Sequence, residues 1–254
     1  MVAQIVDTAT TRIEVFVPES SSPESYEPTV RQIRALADAK AYISIGLIDF
    51  EQVLEGQIKE IAPKTPLLNL AASAGIEPLP EIRHHQDQQH DLQDPHIWLS
   101  PRRMATIGQE VARFLGELTP DSASAYRDRA QKLVERIDTL DDRLDRIAHT
   151  ARRKQFAIGH PALGYLADDY GLQQIVIEDE GKEPSVRMMK QLVDSLQRTG
   201  VKSVLYQRQT SDAAARAIAR EVAGGRAVMF DPLVEKWLDN MHELADTLQV
   251  ILNE

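Results

Sequence analysis

The chain has 254 residues, no cysteine and a formal charge of −10. Without thiols, disulfides and thiolate metal centres are excluded, so any bound metal must be held by nitrogen and oxygen. The acidic balance, with no Lys/Arg block, argues against a nucleic-acid binder, and no run of about 18 apolar residues offers a transmembrane helix.

At its start the chain reads MVAQIVDTATTRIEVFVP, without the charged and apolar regions of a signal peptide. Segment 12–17 (RIEVFV) is β-branched and aromatic and predicts a strand. Pro28 is expected to open a helix carrying Val30, Ile33 and Leu36 on one face. AYISIGLI (41–48) reads as a buried strand, 50–61 as a helix and LLNL (67–70) as a short strand. Residues 72–95 are polar and irregular, and a helix is expected after Ser100-Pro101. From 120 to 151 one amphipathic pattern runs without interruption, with Leu133, Ile137, Leu140, Leu144 and Ile147 at helical spacing.

A second alternating series begins at 155: strand QFAIG, helix 161–170, strand QIVIE, helix 186–199, strand SVLY, helix 211–223, strand AVMF, helix 233–252. Alternation of this kind implies a parallel sheet covered by helices. The expected fold is therefore α/β in two lobes, each a mostly parallel sheet flanked by helices, joined by one long helix. The boundaries are 1–118, 119–151 and 152–254.

Ligands of open parallel sheets lie beyond the carboxyl ends of the strands. Four metal-capable side chains are expected there: Glu24 in the loop after 12–17, His96 in DPHIWLSP, His160 after 155–159 and Asp231 after 227–230. Two imidazoles and two carboxylates can hold Zn²⁺ tetrahedrally or, with bidentate carboxylates, Mn²⁺. A shell of four protein ligands leaves no open position for a reacting water, which favours holding over catalysis. Spacing alone leaves each residue open to a structural role, as a loop histidine, a helix cap or a solvated acid.

SPESYEPT (22–29), DPHIWLSP (94–101), GHPALGYLADDYGL (159–172), GKEPS (181–185) and FDPL (230–233) resemble, in order, the landmarks of cluster A-I substrate-binding proteins. These are the zinc and manganese binders of the ZnuA/TroA type that serve ABC importers. The resemblance implies a metal site of Glu24, His96, His160 and Asp231, with Zn²⁺ as the cargo and Mn²⁺ as the alternative. It also implies a membrane permease as partner, a monomeric non-enzyme, and a periplasmic or cell-surface location. Met1 then reads as an artificial or mis-annotated start, with a signal peptide and first strand missing before Gln4.

Three departures qualify the resemblance. Glu24 stands where most zinc members carry His, which gives the ligand composition of manganese-type members. Gln207, in YQRQTS, replaces a common Glu and reads as a neutral hydrogen-bonding group. His84, His85 and His90, with Asp87 and Asp91, occupy the position of a His-rich acidic loop; such tracts bind metal weakly, and a polar surface loop is the plainer reading. Trp98 reads as a packing residue, Trp237 as helix core, His149 and His242 as structural or solvated, and Glu178-Asp179-Glu180 as a solvated loop or, alternatively, a lining of the cleft mouth. A metal-dependent hydrolase, with Glu178 or Glu183 as base, and a surface adhesin are the rival classes; no HExxH motif supports the former.

Overall fold

The computed structural model describes residues 1–80, 93–178 and 184–254. These divide into two units, one formed by Met1–Pro78 and Pro101–Thr139, the other by Leu79–Ser100 and Leu140–Glu254. The segment containing His96 belongs to the second unit, whereas the boundaries expected from the sequence put it in the N-terminal lobe.

The first unit opens with a short helix, α1 (Val2–Ile5), whose Ile5 is completely buried. Segment 12–17 forms no strand, contrary to expectation. Ile13 and Val15 are exposed, and strand propensity needs a neighbouring ladder and a face to bury. Phe16 is the anchor instead: its ring lies 5.8 Å from Tyr42 and 6.4 Å from Phe50, and its carbonyl accepts from Gln32 Nε2 at 2.8 Å.

Helix α2 (Val30–Ala35) begins two residues after Pro28 rather than at it. Thr29 is its cap, in a reciprocal box with Gln32. Gln32 N donates to Thr29 Oγ1, and Thr29 N donates to Gln32 Oε1. Strand β1 (Tyr42–Ser44), helix α3 (Asp49–Ile61) and strand β2 (Leu67–Asn69) then form a parallel β-α-β unit, with Tyr42 in register with Leu67. Leu54 and Ile58 of α3 pack with Leu36, Tyr42 and Ala62.

After α4 (Leu70–Ser73), helix α5 (Pro101–Leu118) starts at the expected proline, whose missing N–H costs nothing at a first helical position. Its buried face runs Met104, Ile107, Val111, Phe114, at the three-four spacing of a helix stripe. Helix α6 (Ala123–Thr150) has 28 residues, and the α-helical rise makes it roughly 42 Å long. It contributes to both units, and Leu133, Ile137, Leu140, Leu144 and Ile147 are all buried, as their spacing predicts.

In the second unit the alternating series folds as read. The elements are β3 (Gln155–Ile158), α7 (Gly164–Asp169), β4 (Gln173–Val176), α8 (Val186–Thr199), β5 (Ser203–Gln207), α9 (Ala213–Glu221), β6 (Arg226–Phe230) and α10 (Trp237–Ile251). The strands lie in the order β4-β3-β5-β6, all parallel. Ser185 caps α8 at its start, its side chain accepting from Met188 N. Gly200 ends the same helix at φ 71°, a left-handed position suited to glycine. Ala157, Leu196, Val204 and Ile218 sit in the core between sheet and helices.

Connections from β3 run to opposite sides, to β4 on one and eventually to β5 on the other. The carboxyl ends of these strands are the place where such a sheet accommodates a ligand.

Candidate metal centre

His160 follows β3 by two residues, Glu178 follows β4 by two, Gln207 ends β5, and Asp231 follows β6 directly. All four stand at the carboxyl edge of one sheet. His96 reaches the same unit through the segment 93–100, where it caps a short 3₁₀ turn, Ile97–Leu99.

The two imidazoles meet. Their ring centroids are 5.1 Å apart at 69°, and both side chains are buried. A ring nitrogen of each lies within 4.8 Å of the other's. Two nitrogens bound tetrahedrally to one Zn²⁺ stand about 3.3 Å apart, given Zn–N near 2.0–2.1 Å.

Each imidazole is aimed by a carboxylate. His96 Nδ1 lies 2.8 Å from Asp94 Oδ1, which also accepts from the His96 backbone N–H at 2.8 Å. His160 Nδ1 lies 2.5 Å from Glu178 Oε1. A carboxylate at Nδ1 makes that nitrogen the donor and leaves the lone pair on Nε2. This outer arrangement is the one that orients metal-ligating histidines and raises their basicity.

Asp231 stands at the same sheet edge but is committed to other partners. Gln209 Nε2 donates to its Oδ1 at 2.8 Å, Leu233 N donates to the same oxygen at 3.1 Å, and Arg208 Nη1 lies 3.4 Å from Oδ2. Its carbonyl accepts from Asn240 Nδ2 at 2.7 Å. Two tryptophans staple the surrounding turn to the His96 segment. Trp98 Nε1 donates to the Pro232 carbonyl at 3.1 Å, and Trp237 Nε1 donates to the Trp98 carbonyl at 2.7 Å. Both indoles therefore do more than pack. Gln207 is buried, and its Nε2 has no hydrogen-bond partner among the described residues.

Glu24 lies in the first unit, exposed, in the 3₁₀ turn Pro23–Ser25. Its loop is held by the next residues along: the Tyr26 ring stands edge-on to Phe50 at 5.7 Å, and Tyr26 Oη donates to Gln32 Oε1 at 2.9 Å. Histidines 84, 85 and 90, with Asp87 and Asp91, lie outside the described residues, as do Asp179, Glu180 and Glu183. His149 is exposed on α6, and His242 faces Arg143, whose Nη1 lies 3.4 Å from its Nδ1.

Two further side chains at this site escape a reading of the sequence. Asp94 is visible there only as part of a motif, and Glu178 only as part of an acidic run or as a candidate base, not as the partner of His160. The available signal is positional: Glu178 lies just past the end of β4, beside the strand that presents His160.

The profile of one protein family, described as zinc-uptake complex component A, periplasmic, matches residues 1–250. A solved structure named ZnuA superposes with a TM-score of 0.85 at 33% identity, covering 95% of this chain and 91% of its own. The zinc-binding protein AdcA of Streptococcus pyogenes is 27% identical over 237 residues, 87% of this chain but 46% of AdcA; the chain thus spans about half the length of that relative. The high-affinity zinc uptake system protein ZnuA of Bacillus subtilis is 24% identical over 85% of this chain and 70% of its own. With the family profile running through both units and all the candidate ligand positions, the chain belongs to the family of zinc-uptake complex component A.

Proposed function

We propose that this protein captures a divalent transition metal outside the cytoplasm, Zn²⁺ in first place, and delivers it to the membrane permease of an ABC importer. The ion is the cargo. His96 and His160 bind it through Nε2, Asp231 supplies a carboxylate oxygen, and Glu24 of the first unit completes the shell. The observation that carries this reading is the pair of buried imidazoles at 5.1 Å, each with Nδ1 on its own carboxylate. The two imidazoles suit Zn²⁺ better than the harder Mn²⁺, and the relatives named for zinc support that order.

A shell filled by protein groups suits holding, whereas hydrolysis needs an open position. Glu178, nominated from sequence as a possible base, is bonded to His160. Asp231 must turn from Arg208 and Gln209 to reach an ion at the histidines, and loading the site is expected to break the Arg208 contact.

The test is metal content of the purified protein, followed by competition titration of Zn²⁺ against Mn²⁺ for the wild type and for Glu24→His. Tight Zn²⁺ binding that shifts further towards Zn²⁺ in the variant supports the assignment. Affinities unchanged by the substitution would remove Glu24 from the shell. Failure of the wild type to retain either metal would end the capture reading.

A further inference from the structure

His96 owes its orientation to Asp94, and Asp94 is itself held in place by the residues that open α7. Asp94 is 3% exposed. Its backbone N–H donates to the Leu79 carbonyl at 2.8 Å, and its carbonyl accepts from Tyr165 Oη at 2.9 Å. Tyr165, completely buried, also accepts from Leu79 N at 3.2 Å, so one phenol ties together both sides of the strand-like bridge between Pro80 and Gln93.

The carboxylate side is controlled by the preceding residue. A Cβ built on Gly164 would stand 2.2 Å from Asp94 Oδ2 and 3.5 Å from Gln174 Nε2. That oxygen is not the free end of a flexible side chain. Its partner Oδ1 is fixed by two bonds from His96, and the backbone on either side is pinned by Leu79 and Tyr165. No left-handed φ is involved; the demand at Gly164 is for space alone.

We infer that Gly164 and Tyr165 are positioning residues for metal capture. Gly164 leaves the volume that the Asp94 carboxylate fills, and Tyr165 holds the Asp94 carbonyl, so that His96 keeps its proton on Nδ1 and its lone pair on Nε2. Neither residue touches the ion. The inference rests on the reading of His96 as a ligand. It also places the support of His96 on the turn that starts four residues after His160, while His160 keeps its own partner, Glu178.

The test uses the full chain and four proteins: wild type, Gly164→Ala, Tyr165→Phe and His96→Ala. Zn²⁺ affinity is read by competition with a chromogenic chelator. The ring tautomer of His96 is read by ¹⁵N NMR of the metal-free protein. Both positioning variants should weaken Zn²⁺ binding about 10- to 100-fold, the range typical of lost outer-sphere support. Both should also show His96 as a mixture of tautomers, with His160 unchanged.

Wild-type affinity and a wild-type His96 tautomer in both variants would overturn the inference, as would a lowered unfolding temperature with those two readouts unmoved. Should Gly164→Ala not fold, Tyr165→Phe, which removes one hydroxyl from an otherwise intact ring, decides alone. If His96→Ala binds Zn²⁺ like the wild type, it is the ligand assignment that falls, and the positioning role goes with it.

Discussion

His160 and Glu178 meet across two neighbouring strands, Nδ1 to Oε1 at 2.5 Å, although eighteen residues separate them in sequence. Strands β3 and β4 are parallel and in register to Ile158↔Val176, so their next residues emerge at the same edge. Replacing Glu178 by Gln keeps the volume and removes the charge that favours a proton on Nδ1. Zn²⁺ affinity is expected to fall by about 10-fold or more while the metal-free protein unfolds as before. Chelator competition alongside thermal unfolding checks both halves of that statement, and equal affinity would detach Glu178 from the site.

Arg208 offers Asp231 a cation, which a metal ion would replace under the proposed ligand set. The guanidinium side chain is 69% exposed and lies 3.4 Å from the carboxylate. Such an exposed pair is weak, worth about 0–1 kcal/mol. Arg208→Gln should therefore tighten Zn²⁺ binding by up to about fivefold at low ionic strength. The gain should shrink at about 0.5 M salt, where exposed charges are screened within a few ångströms. Asp231→Asn should instead weaken binding at any salt concentration. A calorimetric series over salt for the three proteins separates these effects.

The first unit carries its own titrating group. Burial pushes the Glu51 carboxyl up to about 7, opposed by hydrogen bonds from the Gly46 and Ile45 backbone and reinforced by the nearby Glu55. The folded state therefore favours the neutral acid. Its contribution to stability is full below the ordinary carboxylate range and is lost as pH rises through about 7. Glu51→Gln, neutral at every pH, should be more stable than the wild type at pH 8.5 by on the order of 3 kcal/mol. The difference should fall below about 1 kcal/mol at pH 5. Denaturant unfolding at the two pH values measures it, and a pH-independent difference would contradict the assignment.

Gly46 has φ +86°, and a Cβ there would stand 2.1 Å from Asn69 Nδ2. Asn69 in turn accepts from Ala72 N to cap α4 and donates to Glu55 Oε2 at 2.9 Å. Gly46→Ala should cost about 2–3 kcal/mol, combining a left-handed alanine with a displaced cap. Loss of denaturant midpoint without change in Zn²⁺ affinity is the expected pattern, since the strain lies at the β1–β2 edge.

How far the sequence alone reached depended on whether the signal was local. Helical spacing located α3 and α6 because each buries one stripe, and the stripe is written at every third or fourth residue; Ser100-Pro101 marked the start of α5. Strand and helix alternation after 155 gave the parallel sheet for the same reason. Propensity misread 12–17, where the segment joins no strand and Phe16 packs instead against Tyr42 and Phe50. His96, His160 and Asp231 could be nominated one by one as residues following strands or in a distinctive motif. What only the tertiary structure decided is who meets whom: that the segment of His96 joins the second unit, that Asp94 and Glu178 orient the two imidazoles, that Asp231 rests on Arg208 and Gln209, and that Gly164 is empty space for a carboxylate. Such relationships depend on strand order and on the path of the chain between elements, and these are set by burial summed over the whole core rather than by any stretch of neighbouring residues.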